Sequence, residues 1–262
     1  MRELIAQLGR RFLAHLGIIL AVAVIGYATS AAASTDCPTL DLEVVSLPAP
    51  PQAQSWKQYK AGLLHPANVA LLGDSHAYYW PADIFAQAFP NTQSVNLGVP
   101  GDRAQNTLWR LDDDRLRQIS PRSTVLFIGT NNLIDGTAPC AIAHGTALIV
   151  AKVHSLWPAS RLIIIKPFRN GGFGERFRDE VADYWTRLAS EELPSGTVLL
   201  DLNAAVSCSE ESYFSWYVYP EDIRPVSPCP IITKDLGHLT GEGYRKLGNA
   251  MAAALSSIAV SP

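Results

Sequence analysis

The sequence predicts an α/β fold of three layers, with helices covering both faces of a parallel sheet. Two observations predict it. Five short runs rich in Val, Leu and Ile alternate with longer stretches of helical spacing. The runs are almost continuously apolar, as strands buried on both faces must be.

In chain order, "NVALLG" is the first β-type run, and "AYYWPADIFAQAF" follows with helical spacing. "QSVNLGV" is the second run, followed by the amphipathic "AQNTLWRLDDDRLRQI". "STVLFIGT" is the third, followed by "CAIAHGTALIVAKVHSLW". "SRLIIIKPF" is the fourth, followed by "ERFRDEVADYWTRLASEEL". "GTVLLDLN" is the fifth, and an irregular interval separates it from a last helix, "TGEGYRKLGNAMAAALSSIAV", with Thr240 as its N-cap.

The first residues stand apart from this alternation. Arg2, Arg10 and Arg11 precede an apolar block, Leu16 to Ala28, and Ala31-Ala32-Ala33 then fits a small-residue cleavage site. The block is shorter than the roughly 18 apolar residues that span a bilayer. Residues 1–33 are therefore expected to be a cleaved signal peptide rather than a signal anchor. The Pro-rich stretch 34–66 is an extended lead-in, and 67–262 is the folded domain. The expected location is secreted or periplasmic, with no stable membrane insertion after cleavage. Cleavage removes three arginines and one glutamate, leaving the chain more acidic than its formal charge of −3. No basic stripe is present, so a nucleic-acid partner has no electrostatic support.

Of the 262 residues, 48% are hydrophobic and 17% charged, a globular composition. Four cysteines, Cys37, Cys140, Cys208 and Cys229, are an even number in an exported chain and are read as disulfides. Three pairings are open. Cys208–Cys229 is favoured because both lie in one irregular segment, which leaves Cys37–Cys140. No spacing suggests a metal site.

Function in a parallel sheet gathers beyond the carboxyl ends of its strands. Ser75 in "GDSH", Asn96 to Gly98 in "NLG" and Gly129 to Asn132 in "GTNN" each fall just after a β-type run. A serine hydroxyl becomes a useful nucleophile when a base takes its proton. His76 adjoins Ser75, but adjacent side chains diverge. His144 and His154 fall in a predicted helix. His238, in "KDLGHLTGEG" before the last helix, is the candidate base, and Asp235, three residues upstream, is its orienting carboxylate. The developing oxyanion needs donors, for which the backbone N–H groups of Ser75 and Gly98 and the side-chain amide of Asn131 are the candidates.

The ordered set, GDS with Ser75, then Gly98, then Asn131, then Asp235 and His238, resembles the SGNH hydrolases, or GDSL esterase/lipase family. "NLGVPGDRAQNTLWRL" with "VLFIGTNN" is similar to the branch containing the platelet-activating-factor acetylhydrolase catalytic subunits. The resemblance implies a flavodoxin-like sheet of five parallel strands in the order 2-1-3-4-5. It also implies ester hydrolysis through an acyl-serine without a cofactor. His76 stands where that family usually has an aliphatic residue, and "GDSHA" resembles the SGNH domains of envelope polysaccharide O-acyltransferases. Asn132 stands where many members have Asp. The expectation is a secreted esterase removing short acyl groups, acetyl foremost, from glycans or small lipids. The alternatives are an O-acyltransferase using the same acyl-serine, or an inactive carbohydrate-binding relic. The segment near 204–232 is read as a disulfide-closed insertion whose Trp216 and Tyr217 offer aromatic surface to a sugar or acyl chain.

Overall fold

The fold is taken from a computed structural model, which describes Cys37, residues 65–168, 176–207, Ile231 and residues 238–259. The chain divides into two units, Met1–Cys37 and Pro38–Pro262, and the elements below belong to the second. Its strands are β1 (Val69–Gly73), β2 (Ser94–Asn96), β3 (Ser123–Phe127), β4 (Arg161–Ile165) and β5 (Thr197–Leu200). All neighbours pair in parallel, in the order β2-β1-β3-β4-β5. This is the expected flavodoxin-like arrangement.

Strand side chains point alternately to opposite faces, and here both faces are buried. Ala70, Leu72, Leu126, Leu162 and Ile164 face one core. Val69, Leu71, Val125, Phe127, Ile163 and Ile165 face the other. A continuous apolar run is thus two interleaved apolar faces.

The helices divide between those cores. Beyond β1 come α1 (Ser75–Tyr78) and α2 (Ala82–Ala88), and beyond β2 comes α3 (Ala104–Arg110). Then follow α4 (Thr130–Ile134), α5 (Pro139–Leu156), α6 (Arg178–Ser190) and α7 (Gly241–Ala259). Helix α5 packs against α3 and α6, while α7 packs against α2. Among the described residues no helix is long and apolar enough to cross a membrane.

Two predicted helices are shorter than their apolar spacing suggested. The stretch after β1 breaks between α1 and α2, where Pro81 cannot continue a helix and serves as the extended N-cap of the next. The stretch after β2 ends α3 at Arg110, and a separate 3₁₀ turn runs Asp114–Gln118. Asp113 caps that turn by accepting the N–H of Arg115, the local bond by which Asp competes with a continuing helix. The last helix begins as expected: Tyr244 donates its N–H to the Thr240 carbonyl at 2.9 Å, and Gly243 donates to the Thr240 hydroxyl at 3.3 Å.

Cys37 and Cys140 are both disulfide-bonded. Cys208 and Cys229, with residues 208–230 of the insertion expected near 204–232, lie outside the described residues, and Asn203–Val206 form a 3₁₀ turn.

Two glycines let backbones meet at the carboxyl edge. Gly73 ends β1 at φ +124°, and a Cβ there would sit 1.8 Å from the carbonyl oxygen of Phe127 on β3. Gly98, beyond β2, lies so close to α1 that a Cβ would fall 2.5 Å from the Tyr78 nitrogen and 2.8 Å from the Ala77 carbonyl carbon. Gly98→Ala must push α1 away. It is expected to destabilise the protein by about 1–3 kcal/mol and to displace Ser75, which rides on α1. Thermal denaturation with assay of the folded fraction checks this; an unshifted melting point would show that α1 is not pinned there.

Candidate active site

The order β2-β1-β3 creates a switch point: the chain leaves β1 toward one edge and returns from β2 to pair β3 on the other side of β1. Loops diverge there and open a crevice at the strands' carboxyl ends. Ser75, the Val99–Asp102 turn and Asn131 all follow strands that border it.

Ser75 is the first residue of α1, and the Asp74 side chain caps that helix by accepting the N–H of His76 at 2.9 Å. The half-buried hydroxyl faces the imidazole of His238, whose Nε2 lies 2.8 Å from Ser75 Oγ across 163 residues of sequence. His238 sits just ahead of α7. A second link joins the two regions, the buried hydroxyl of Tyr244 on α7 donating to the His76 carbonyl at 2.9 Å. The His238 ring is walled by two others, His76 at 5.4 Å and Tyr79 at 5.1 Å between centroids. Asp235, the expected partner of His238, lies outside the described residues, as do Trp216 and Tyr217.

A serine bonded to an imidazole can surrender its proton as it attacks a carbonyl carbon. The oxygen that becomes negative then needs donors. The N–H of Ser75 makes no hydrogen bond among the described residues. Asn131 is held by one amide hydrogen, given to the Asp102 carbonyl at 2.9 Å, which leaves the other for a ligand.

Gly98 has a different job from the one expected of it. Its N–H is spent on Asn96 Oδ1 at 2.9 Å, and the same carboxamide donates from Nδ2 to the Ala77 carbonyl at 2.8 Å. Asn96 and Gly98 therefore fasten the tip of β2 to α1. The glycine with a free N–H is Gly101, which is exposed, has φ +81° and donates no hydrogen bond among the described residues. It occupies the third position of a turn in which Asp102 donates its N–H to the Val99 carbonyl at 3.2 Å. Pro100 and Gly101 are the residues such a turn prefers, and "VPGD" is the signal that could have found it.

Behind this turn lies a buried polar layer. Asp102 is ion-paired with Arg110, and its carboxylate also accepts from the Thr107 hydroxyl at 2.8 Å. Burial pushes the Asp102 carboxyl up, while the Arg110 guanidinium and the Thr107 hydroxyl pull it back. Asn132 accepts the Ala104 N–H at 3.1 Å and donates to Gln105 Oε1 at 3.2 Å, fixing the start of α3. The second bond needs an amide, and a carboxylate could not make it. Among the described residues no group of three His, Cys, Asp or Glu side chains is placed to hold a metal ion.

A serine–imidazole pair beside unspent amide donors, at the carboxyl edge of a flavodoxin-like sheet, is equipment for acyl transfer. Comparison with known proteins agrees. The profile of the GDSL-like lipase/acylhydrolase family matches residues 71–246, and the chain belongs to that family. It is an ester-hydrolysing enzyme. It is 26% identical to platelet-activating factor acetylhydrolase IB subunit alpha2 of Rattus norvegicus, over 69% of this chain and 72% of that one. Its fold matches a lipase from a goat rumen metagenome with a TM-score of 0.54 at 11% identity, covering 71% of this chain and 96% of that one. It also matches a catalytic mutant of an acetylxylan esterase from Geobacillus stearothermophilus with a TM-score of 0.50 at 14% identity, covering 71% and 92%.

Asp74 is fully buried beside the serine, and its Oδ2 has no hydrogen-bond partner among the described residues. Burial above all, against the His76 N–H bond and reinforced by the charge of Asp102, pushes its carboxyl up to about 7. A carboxyl raised on folding contributes stability below its unfolded value near 4; that contribution fades as pH rises through about 7. Asp74→Asn keeps the oxygen that caps α1 and removes the charge. Its melting temperature relative to the parent protein is therefore expected to climb from about pH 4 to pH 7 and to level off above it. A difference that stays level over that range would mean Asp74 does not titrate there.

Proposed function

We propose that this protein is an exported serine esterase that removes acetyl or similarly short acyl groups from saccharide esters or small lipids. The single observation behind the mechanism is the 2.8 Å contact between Ser75 Oγ and His238 Nε2. Ser75 attacks the ester carbonyl while His238 takes its proton. The carbonyl oxygen turns negative against the N–H of Ser75, the N–H of Gly101 and the free amide hydrogen of Asn131. Collapse breaks the bond to the alcohol, which leaves with the proton from His238. Water then attacks the acyl-serine, giving its proton to His238, and Ser75 recovers it as the acid departs. Asp235 orients the imidazole and stabilises its charged form.

Two things favour a short acyl group. The related mammalian subunit is named an acetylhydrolase, and the Geobacillus protein of similar fold is named an acetylxylan esterase. Export is supported by the leader-like residues 1–33 and by the oxidised state of Cys37 and Cys140.

Ser75→Ala is expected to abolish release of p-nitrophenol from p-nitrophenyl acetate while leaving the melting curve intact. Asn131→Ala should lower kcat about 100- to 1,000-fold, the usual effect of losing one oxyanion donor. Gly101→Ala should lower kcat at near-normal KM, because the added methyl group is strained at this φ and displaces the N–H. Turnover surviving in the Ser75 variant would dispose of the acyl-serine. Adding acetyl-acceptor oligosaccharide separates esterase from transferase: acetate released at an unchanged rate supports hydrolysis, and acetylated oligosaccharide would replace it with transfer.

A further inference from the structure

Among the described residues the exposed large apolar side chains are Tyr79 and Ile134. Single exposed apolar residues are ordinary on protein surfaces, so exposure alone says little. Tyr79 differs in its position. Its ring stands edge-on to His238 with centroids 5.1 Å apart and planes at 79°, yet 51% of the residue faces solvent. Tyr78 braces it from the side at 5.0 Å. Its backbone N–H is bonded to the Ser75 carbonyl at 2.9 Å, so its distance from the nucleophile is fixed.

The reaction divides the space around Ser75 into two sides. The acyl carbon bonds to Ser75 Oγ, and its oxygen turns to the amide donors of Ser75, Gly101 and Asn131. The departing oxygen must lie within reach of His238 Nε2, because the C–O bond breaks as that nitrogen returns its proton. Any group flanking His238 at the solvent rim therefore meets the alcohol half of the ester, and Tyr79 is such a group. One face of a braced phenol, open to water, suits a ring with apolar C–H faces and a hydroxyl rim that stays hydrated. An alkyl chain calls instead for an enclosed apolar trough.

We propose that Tyr79 is a binding platform for the leaving alcohol, and that this alcohol is a saccharide ring. The proposal rests on the serine-esterase reading above and names the substrate class of the same site.

Three acetate esters sharing one acyl-enzyme test it: mono-O-acetylated xylotriose, ethyl acetate and an acetylated alkyl glycerol. Tyr79→Ala is expected to lower kcat/KM on the xylotriose ester roughly three- to tenfold, the scale of one aromatic contact, and to do so through KM. Ethyl acetate should be hydrolysed as before, and Tyr79→Trp should retain the saccharide activity. Deacylation, read from steady-state turnover after a p-nitrophenyl acetate burst, should be unchanged, since the alcohol has already gone. Equal losses on all three esters, with slowed deacylation, would mean that Tyr79 merely steadies His238 and would overturn the proposal. So would an undiminished rate on the xylotriose ester, or a larger loss on the alkyl glycerol. A parent protein that hydrolyses ethyl acetate but never the xylotriose ester would sink the saccharide reading and this inference together. Activity of the parent on both, with Tyr79→Ala affecting them alike, would sink this inference alone.

Discussion

Asp102 is where the site is held from inside the protein. Its carboxylate is pinned by Thr107 and Arg110, its N–H closes the turn that presents Gly101, and its carbonyl fixes the amide of Asn131. One residue thus joins the turn beyond β2, the latter half of α3 and the start of α4. The pair it makes with Arg110 is almost wholly buried, and a buried charge left without its partner costs about 3–5 kcal/mol. That penalty deters the turn from rearranging. Donors that need no rearrangement as negative charge appears are what make an oxyanion site effective.

Asp74 is a second buried carboxyl beside the site. No cation is paired with it in the described structure, and burial raises it toward neutrality, with the charge of Asp102 adding to the effect. Two buried carboxyls near one serine are thus both raised by burial, one beside a guanidinium and one with no cation among the described residues. Carboxyls perturbed by burial and by specific neighbours are common where chemistry is done.

Much of this was legible in the chain. The five apolar runs became five parallel strands because nothing but burial on two faces explains such runs, and Ser75 and His238 met as their positions at strand and helix ends implied. Two kinds of feature were not legible. The helix breaks depend on a proline ring at Pro81 and a local side-chain bond at Asp113, which outweigh apolar spacing. The polar layer of Asp102, Gln105, Asn132 and Arg110 has no periodic signature, because each member is placed by its partner rather than by water. Gly98 illustrates the difficulty. Glycine after a strand can serve to expose an N–H or to let a backbone come close. Only the collision that a Cβ would make with α1, and the acceptor already on its N–H, assign it to the second use. Asp235 and the aromatic residues at 216 and 217 fall outside the described residues.

The bond from Tyr244 to the His76 carbonyl has a consequence for the timing of turnover. In the proposed mechanism an acyl group comes to occupy Oγ, and the serine can then no longer hydrogen-bond to the imidazole as it did at rest. A tether between the two halves that involves neither reacting atom survives that interval. Nucleophile and base thus stay in register through the very stage at which their own contact is suspended.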